Sequence, residues 1–190
     1  GAFPPGGAES RGRGAFRGMA ARLVGAPTRR ADDPAAIPEA SDGHAIPGNR
    51  GIDRQARLAR FHHPFHDALC SLMDTAPPAL TLILHSYTTA LATDPATHRP
   101  WHCGLLYDRD DRGARAARPL LEADGFVVGD QLPYSGKIYN ATISRHVECE
   151  MRPYLYIEIR QDLIEDDAGQ AQWAERLHRI CNTIAAEIEG

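Results

Sequence analysis

Glu158 and Arg160 lie two residues apart in an apolar segment near the C-terminus. On a β-strand this spacing would put both side chains on one face, roughly 6.5–7 Å apart. Two interpretations are open. The residues could form an ion pair on that face, or Glu158 could act as a general base beside a guanidinium that holds an anionic substrate. The second interpretation makes both of them candidate catalytic residues.

Three histidines occupy positions that suit a metal ligand. His85, followed by Ser86, closes the most apolar segment of the chain, where a histidine is either a capped structural residue or a metal ligand. His62 and His66 are four residues apart, so they would share one face of a helix, as zinc-binding pairs do. Because Pro64 lies between them and no glutamate does, the favoured interpretation of this pair is a polar shoulder of the helix.

Hydrophobic periodicity predicts the elements that would position these residues. Intervals of three and four between apolar residues indicate helices, and short apolar or alternating segments indicate strands. The predicted helices cover residues 16–24, about 20 residues around an apolar stripe from Leu58 to Leu72 with a kink at Pro64, residues 112–124 and about 169–189. The predicted strands cover residues 80–86, which would be a central strand, and residues 103–107, 126–128 and 154–160. Strands that alternate with helices indicate an α/β fold with a largely parallel or mixed sheet.

Two polar segments each admit a functional and an ordinary interpretation. Residues 108–118 carry a run of charges, which favours a solvated start of a helix. Residues 130–136 are rich in turn-forming residue types, so they could be a lid or specificity loop, or equally an ordinary connection.

Composition excludes several classes of function. A chain of 190 residues with 43% hydrophobic residues and a net charge of -4 is typical of one globular domain, here with residues 1–50 mostly irregular. No apolar stretch approaches the roughly 20 residues that a membrane helix needs. The slightly acidic chain also lacks the basic field that nucleic-acid binding requires. We therefore expect neither a membrane nor a nucleic acid as a partner.

The cysteines and the basic residues indicate the cellular setting. The four cysteines are widely separated, so neither a zinc ribbon nor a C-x-x-C redox pair is available, and we expect reduced thiols in a cytoplasmic protein. Lys137 is the only lysine among 21 basic residues. This bias towards arginine suggests a GC-rich, bacterial coding genome.

Six short strings, taken together in this order and spacing, resemble the N-formylglutamate amidohydrolase family. The strings are residues 46–49 (Ile-Pro-Gly-Asn), 63–66 (His-Pro-Phe-His), 84–86 (Leu-His-Ser), 99–104 (Arg-Pro-Trp-His-Cys-Gly), 133–136 (Pro-Tyr-Ser-Gly) and 157–164 (Ile-Glu-Ile-Arg-Gln-Asp-Leu-Ile). The last string is the most specific. The resemblance extends from about residue 42 to residue 173.

The resemblance implies a fold and an activity. It implies a three-layer α/β/α fold with a mixed, largely parallel sheet, similar to that of the zinc carboxypeptidases. Members of the family hydrolyse N-formylglutamate, a small-molecule N-acyl amino acid, to formate and glutamate late in histidine degradation, using one zinc ion. By position, His85 matches a metal ligand and Glu158 matches the general base.

The resemblance also implies a set of substrate contacts. Arg160 would bind or polarise an acidic substrate. Further pocket residues would be Asn49, His66, Tyr134 and Ser135.

The chain departs from the family pattern near its N-terminus. The family's first histidine-containing motif (Asp-His-Ala-Gly or Pro-His-Ser-Gly), its acidic metal ligand and an Asp-x-Asn-Arg string are absent from this sequence. We expect the sequence to be part of a longer chain, with segments missing in the region of residues 1–31 that would carry the two other zinc ligands. The alternative is a catalytically inactive relative that binds an anionic small molecule or a protein partner. A purely structural module accounts less well for His85, Glu158 and Arg160 at strand ends.

Overall fold

The computed structural model describes residues 29–189. These residues form two compact units, one that ends at His66 and one that begins at Asp67. The helix predicted at residues 16–24 lies outside the described residues. Organisation as a single domain stays a prediction.

The first unit is built from short elements, as its glycine and proline content predicts. A two-residue hairpin joins β1 (Ala40–Ser41) to β2 (His44–Ala45). Asp42 and Gly43 form its turn with φ of 46° and 78°, the left-handed region that aspartate and glycine tolerate best. The unit also contains two 3-10 turns, Pro34–Ala36 and Pro47–Asn49.

The helix predicted around the stripe from Leu58 to Leu72 is confirmed, with about the predicted length. It runs as α1 (Arg54–Arg57), a π-helical segment (Leu58–His62) and α2 (His63–Thr75). Asp53 caps its start by accepting a hydrogen bond from the backbone N of Ala56. The expected disturbance at Pro64 takes the form of the π-helical segment that ends two residues before it.

The second unit contains a mixed four-stranded sheet. Its strands are β3 (Thr81–Tyr87), β4 (Cys103–Leu106), β5 (Val128–Asp130) and β6 (Tyr154–Arg160). The spatial order is β3-β6-β4-β5, with β3 parallel to β6, β4 parallel to β5 and β4 antiparallel to β6. The predicted mixed α/β sheet is therefore confirmed, and the strand predicted at residues 126–128 begins two residues later.

Successive side chains of β6 point to opposite faces of the sheet, and a separate hydrophobic core lies on each face. Leu155, Ile157 and Ile159 pack on one face with α3 (Arg112–Ala123) and α5 (Asp167–Glu189). Tyr154 and Tyr156 pack on the other face with residues of α2 and of α4 (Ala141–His146). Helices therefore cover both faces, which makes the three-layer arrangement.

The prediction of β3 as the central strand is wrong for the sheet that residues 29–189 form. β6 is buried along its length, whereas β3 pairs only with β6 in this sheet and leaves Leu82 and Leu84 40% and 50% exposed. These leucines line an open groove with Leu177 and Cys181 of α5. An apolar run signals low polarity on both faces, but it does not show how many neighbours the strand has.

The buried face of α5 carries bulky apolar residues. Trp173, Leu177, Ile180 and Ile184 are buried, whereas Ala174 is exposed. The bulky Trp173 packs beside Phe126, with ring centroids 4.9 Å apart. No helix among residues 29–189 is long and apolar enough to cross a membrane.

Candidate active site

The carboxyl ends of β3 and β6 bring His85 and Glu158 together. The two strands are parallel, and their register pairs these two residues directly. Nδ1 of His85 lies 3.8 Å from Oε1 of Glu158. The hydroxyl of Tyr156 lies 3.4 Å from the same His85 nitrogen and 3.5 Å from the same Glu158 oxygen. The residue predicted as general base and the residue predicted as metal ligand thus share one cluster.

The Glu158 carboxyl is buried with one oxygen left without a hydrogen bond. The residue is 6% exposed, and Oε2 has no hydrogen-bond partner among the residues that the structure describes. Burial raises the pKa of Glu158 to about 7, against the smaller lowering effects of the Tyr156 hydroxyl and the Arg99 charge. A carboxyl that exchanges a proton near neutral pH suits general acid-base chemistry.

His85 is kept neutral by its surroundings. Burial lowers the pKa of its imidazole below the ordinary value. Its ring stands edge-on to that of Tyr156, with centroids 5.3 Å apart. A neutral imidazole keeps a nitrogen lone pair that can accept a hydrogen bond or bind a metal.

Arg99 lies at the same end of the sheet as Glu158, and it was not among the predicted site residues. Its guanidinium is buried and donates from Nη1 to the carbonyl oxygen of Thr88 (3.1 Å) and from Nη2 to the hydroxyl of Tyr134 (3.2 Å). The rings of Tyr87 and Tyr134 lie 5.9 and 5.3 Å from it. Arg99 precedes β4, and β4 runs antiparallel to β6, so the start of β4 adjoins the end of β6. The sequence did not reveal this strand direction, and so it could not bring Arg99 to the site.

Arg160 is held by Asp162 and by backbone carbonyls. Nε and Nη2 donate to the two carboxylate oxygens of Asp162 at 2.8 and 3.1 Å. Nη1 lies 3.3 to 3.5 Å from the carbonyl oxygens of residues 99–101. One interpretation of the sequence was an ion pair between Glu158 and Arg160. In the structure, Arg160 pairs with Asp162 instead. The side chain of Arg160 ties the end of β6 to the segment that carries Arg99.

Tyr134 and Ser135 belong to a loop that is fixed on the sheet. The Gln131 side chain donates to the carbonyl oxygen of Tyr107 at 2.5 Å and accepts from the backbone N of Gly136 at 2.8 Å. Tyr134 reaches Arg99, whereas the Ser135 hydroxyl accepts from the backbone N of Lys137 at 3.2 Å and closes a turn. Of the two interpretations of this loop, the contacts favour an ordinary, well-anchored connection over a lid.

Asn49 and His66 belong to the first unit, and both make polar contacts within it. The Asn49 amide donates to the carbonyl oxygen of Pro38 at 2.8 Å. Nε2 of His66 lies 3.2 Å from Nε2 of His62, which in turn lies 3.0 Å from the carbonyl oxygen of Arg29. Both histidines are buried. The prediction that this pair lies on a polar shoulder of the helix is therefore wrong.

The described residues do not make up a zinc site. A catalytic zinc takes about three protein ligands. Residues 29–189 contain no group of three or more His, Cys, Asp or Glu side chains that could hold a metal ion. Within residues 29–189, the potential metal ligand recorded beside His85 is the Glu158 carboxylate, at 3.8 Å.

Comparison with known proteins supplies the family. The family described as N-formylglutamate amidohydrolase matches residues 7–165. The chain belongs to the N-formylglutamate amidohydrolase family. No curated protein matches it.

Solved structures show the same fold for this family member. The crystal structure of gene product Atu2144 from Agrobacterium tumefaciens is 29% identical with a TM-score of 0.79, over 89% of this chain and 69% of that chain. The structure of N-formylglutamate amidohydrolase from Ralstonia eutropha JMP134 is 23% identical with a TM-score of 0.53, over 71% of this chain and 54% of that one. At that identity, the second likeness shows the fold alone.

Proposed function

We propose that this family member hydrolyses N-formyl-L-glutamate, or a related N-acyl amino acid, to formate and the free amino acid. The single observation that carries the proposal is the Glu158 carboxyl, which is buried at a strand end beside His85 and Tyr156. Membership of the family supports the reaction class. The cellular setting we propose is the bacterial cytoplasm, with histidine degradation as the source of the substrate.

Glu158 would move the protons of the reaction. As a carboxylate it would take a proton from water while the water oxygen bonds to the formyl carbon. It would then give that proton to the amine nitrogen as the carbon-nitrogen bond breaks. Formate and glutamate leave, and the carboxylate is regenerated. The hydrogen bond from Tyr156 would keep the carboxyl in place between these steps.

The other candidate residues contribute in different ways to the proposal. Arg160 would act as a positioning residue that holds the carbonyls of residues 99–101. Tyr134 would contribute through its hydrogen bond with Arg99. Substrate contacts by Asn49, His66 and Ser135 stay predictions.

Zinc dependence, with His85 as one ligand, is also part of the proposal. It rests on the resemblance and on the neutral imidazole at the strand end. Further ligands would have to come from outside residues 29–189. Zinc lowers the pKa of a bound water to about 7 and polarises a carbonyl group.

A second candidate function is that of an inactive relative that binds an anionic small molecule. It is motivated by the lack of a three-ligand metal group among the described residues. It predicts ligand binding without turnover, and no stoichiometric zinc after purification.

A substrate panel decides between the two candidates. The purified protein is supplied with zinc, or treated with a chelator, and given formyl, acetyl and peptidyl derivatives of glutamate. Formate release that requires zinc, and is faster than release of the other acyl groups, is the result we expect. Zinc-loaded protein that hydrolyses none of the derivatives would support the inactive relative.

A further inference from the structure

Arg99 is a buried cation without a carboxylate partner in the described part of the chain. It is 6% exposed, and none of the ion pairs that residues 29–189 form involves it. Arg160, which also lies at this end of the sheet, is instead neutralised by both oxygens of Asp162. The hydrogen bonds of Arg99 go to uncharged groups, so they do not balance its buried positive charge as a carboxylate would. The partner of Arg99 is therefore to be sought in a ligand.

The guanidinium keeps one edge for such a ligand. Nη1 donates to Thr88, and one Nη2 hydrogen goes to the Tyr134 hydroxyl. The hydrogen bonds of this guanidinium within residues 29–189 are made by Nη1 and Nη2, so Nε–H and the remaining capacity of Nη2 are available for a ligand. A guanidinium can present two neighbouring donors of this kind to both oxygens of a carboxylate.

The surroundings of Arg99 hold this edge in a fixed orientation. The rings of Tyr87 and Tyr134 flank the guanidinium. The backbone carbonyl of Arg99 lies 3.5 Å from Nη1 of Arg160. A cation fixed on several sides loses little conformational freedom when it binds an anion.

The position of Arg99 relates it to the reacting group. Arg99 precedes β4, whose first residue, Cys103, pairs with Ile159, the residue after Glu158. No ion pair among residues 29–189 joins Arg99 to Glu158, so this carboxyl leaves the guanidinium available to a ligand.

We propose that Arg99 binds a carboxylate of the substrate and thereby selects N-acyl amino acids over uncharged amides. This inference rests on the proposed function, because it names the residue that recognises the substrate at the same site. N-formyl-L-glutamate has two carboxylates, on the α-carbon and on the side chain. Either could lie on the free edge, and the test distinguishes them.

The test compares Arg99→Gln and Arg99→Lys with the wild type on three formyl compounds. N-formyl-L-glutamate has both carboxylates, N-formyl-L-leucine has only the α-carboxylate, and N-formyl-L-glutamate α-amide has only the one on the side chain. Arg109→Gln, a change of an exposed arginine, is the matched control. Thermal unfolding checks that each variant is folded, and Arg99→Lys preserves the charge if Arg99→Gln does not fold.

The expected result is a rise in KM of about 100-fold or more for N-formyl-L-glutamate in Arg99→Gln, with a smaller fall in kcat. Arg99→Lys should lose less, because it keeps the charge but not the two-donor edge. For the compound that lacks the recognised carboxylate, wild type and variant should be equally poor. Equal losses on all three compounds, or no loss on any, would overturn the inference.

A binding measurement separates this inference from the proposed function. If the wild type hydrolyses none of the compounds, the proposed function fails. Calorimetric titration with N-formyl-L-glutamate then still tests Arg99. Binding to the wild type and to Arg109→Gln, weakened about 100-fold in Arg99→Gln, would support the anion site. Equal binding to all three proteins, or binding to none, would overturn it.

Discussion

At the scale of single residues, Glu158 has the least favourable environment for a charge. Its carboxyl is buried, Oε2 lacks a hydrogen bond among the described residues, and Tyr156 donates only a long one, of 3.5 Å. Burial therefore destabilises the carboxylate form of Glu158, and as a result the carboxyl takes up and releases protons near pH 7. Residues with this property cluster at functional sites.

The pH dependence of stability should reveal this burial. The folded-state pKa of Glu158 is raised to about 7, above the ordinary value of 4.5, so folding favours the protonated form. The resulting stability is fully present below about pH 4.5 and is lost as the pH rises through about 7. In the presence of a chelator, Glu158→Gln should gain stability relative to the wild type between pH 5 and pH 9.

Urea unfolding at a series of pH values measures this gain. At about 1.4 kcal/mol per pKa unit, it should be on the order of 3 kcal/mol. Glu175→Gln, a change of an exposed glutamate on α5, is the matched control and should show no such trend. A stability difference between Glu158→Gln and the wild type that does not change with pH would show that the carboxyl is not perturbed.

At the scale of elements, the loop after β5 lies directly on the backbone of the sheet. A Cβ atom at Gly104 or at Gly129 would clash with the carbonyl oxygen of Leu132. Gly104 is also the register partner of Glu158. The close approach of this loop to the sheet therefore requires glycine at both positions, one of which pairs with Glu158.

Gly104→Ala should consequently destabilise the protein and displace the loop. We expect a loss of about 1–3 kcal/mol in the free energy of unfolding, which is typical of overpacking, together with reduced activity. Gly48→Ala is the control, because a Cβ there would meet nothing within 4 Å. Thermal unfolding of the two variants checks the prediction, and equal unfolding temperatures would contradict it.

A second element-scale feature is the anchoring of the segment after β4 by Glu148. This buried carboxylate accepts hydrogen bonds from the backbone N of Arg109 (3.1 Å), the amide of Asn140 (3.1 Å) and the hydroxyl of Tyr154 (2.7 Å). Its removal leaves several buried donors without an acceptor.

Glu148→Ala should therefore lower the free energy of unfolding by about 3 kcal/mol. The neighbouring Glu150 is exposed, so Glu150→Ala should stay within about 0.5 kcal/mol of the wild type. Chemical denaturation of both variants measures the difference. Similar midpoints would show that the hydrogen bonds of Glu148 do not hold this segment.

At the scale of the whole molecule, stability depends on the two cores that β6 separates. Leu155 is fully buried in one of them, whereas Leu84 on β3 is half-exposed. Leu155→Ala should cost about 2–5 kcal/mol, and Leu84→Ala should cost about 1 kcal/mol or less. Urea denaturation measures the loss in the free energy of unfolding for both variants. Equal losses would show that Leu84 on β3 is as buried as Leu155.

Much of this architecture was predictable from the sequence. The alternation of β6 and the periodicity of α2 and α5 have physical causes within a few neighbouring residues, so the sequence carries them. The edge position of β3 and the antiparallel direction of β4 depend on long-range pairing, which local patterns do not encode. The sequence indicated that His85 and Glu158 lie at strand ends, whereas their pairing and the position of Arg99 depend on the order and direction of the strands.

The central claim is that Glu158 serves as the general base of an N-acyl amino acid hydrolase. The most direct measurement is formate release from N-formyl-L-glutamate by zinc-supplied wild type and by Glu158→Gln, with equal folding checked by circular dichroism. The account predicts release by the wild type and a loss in kcat of about 100-fold to 10,000-fold in the variant. A near-normal rate in Glu158→Gln would contradict it.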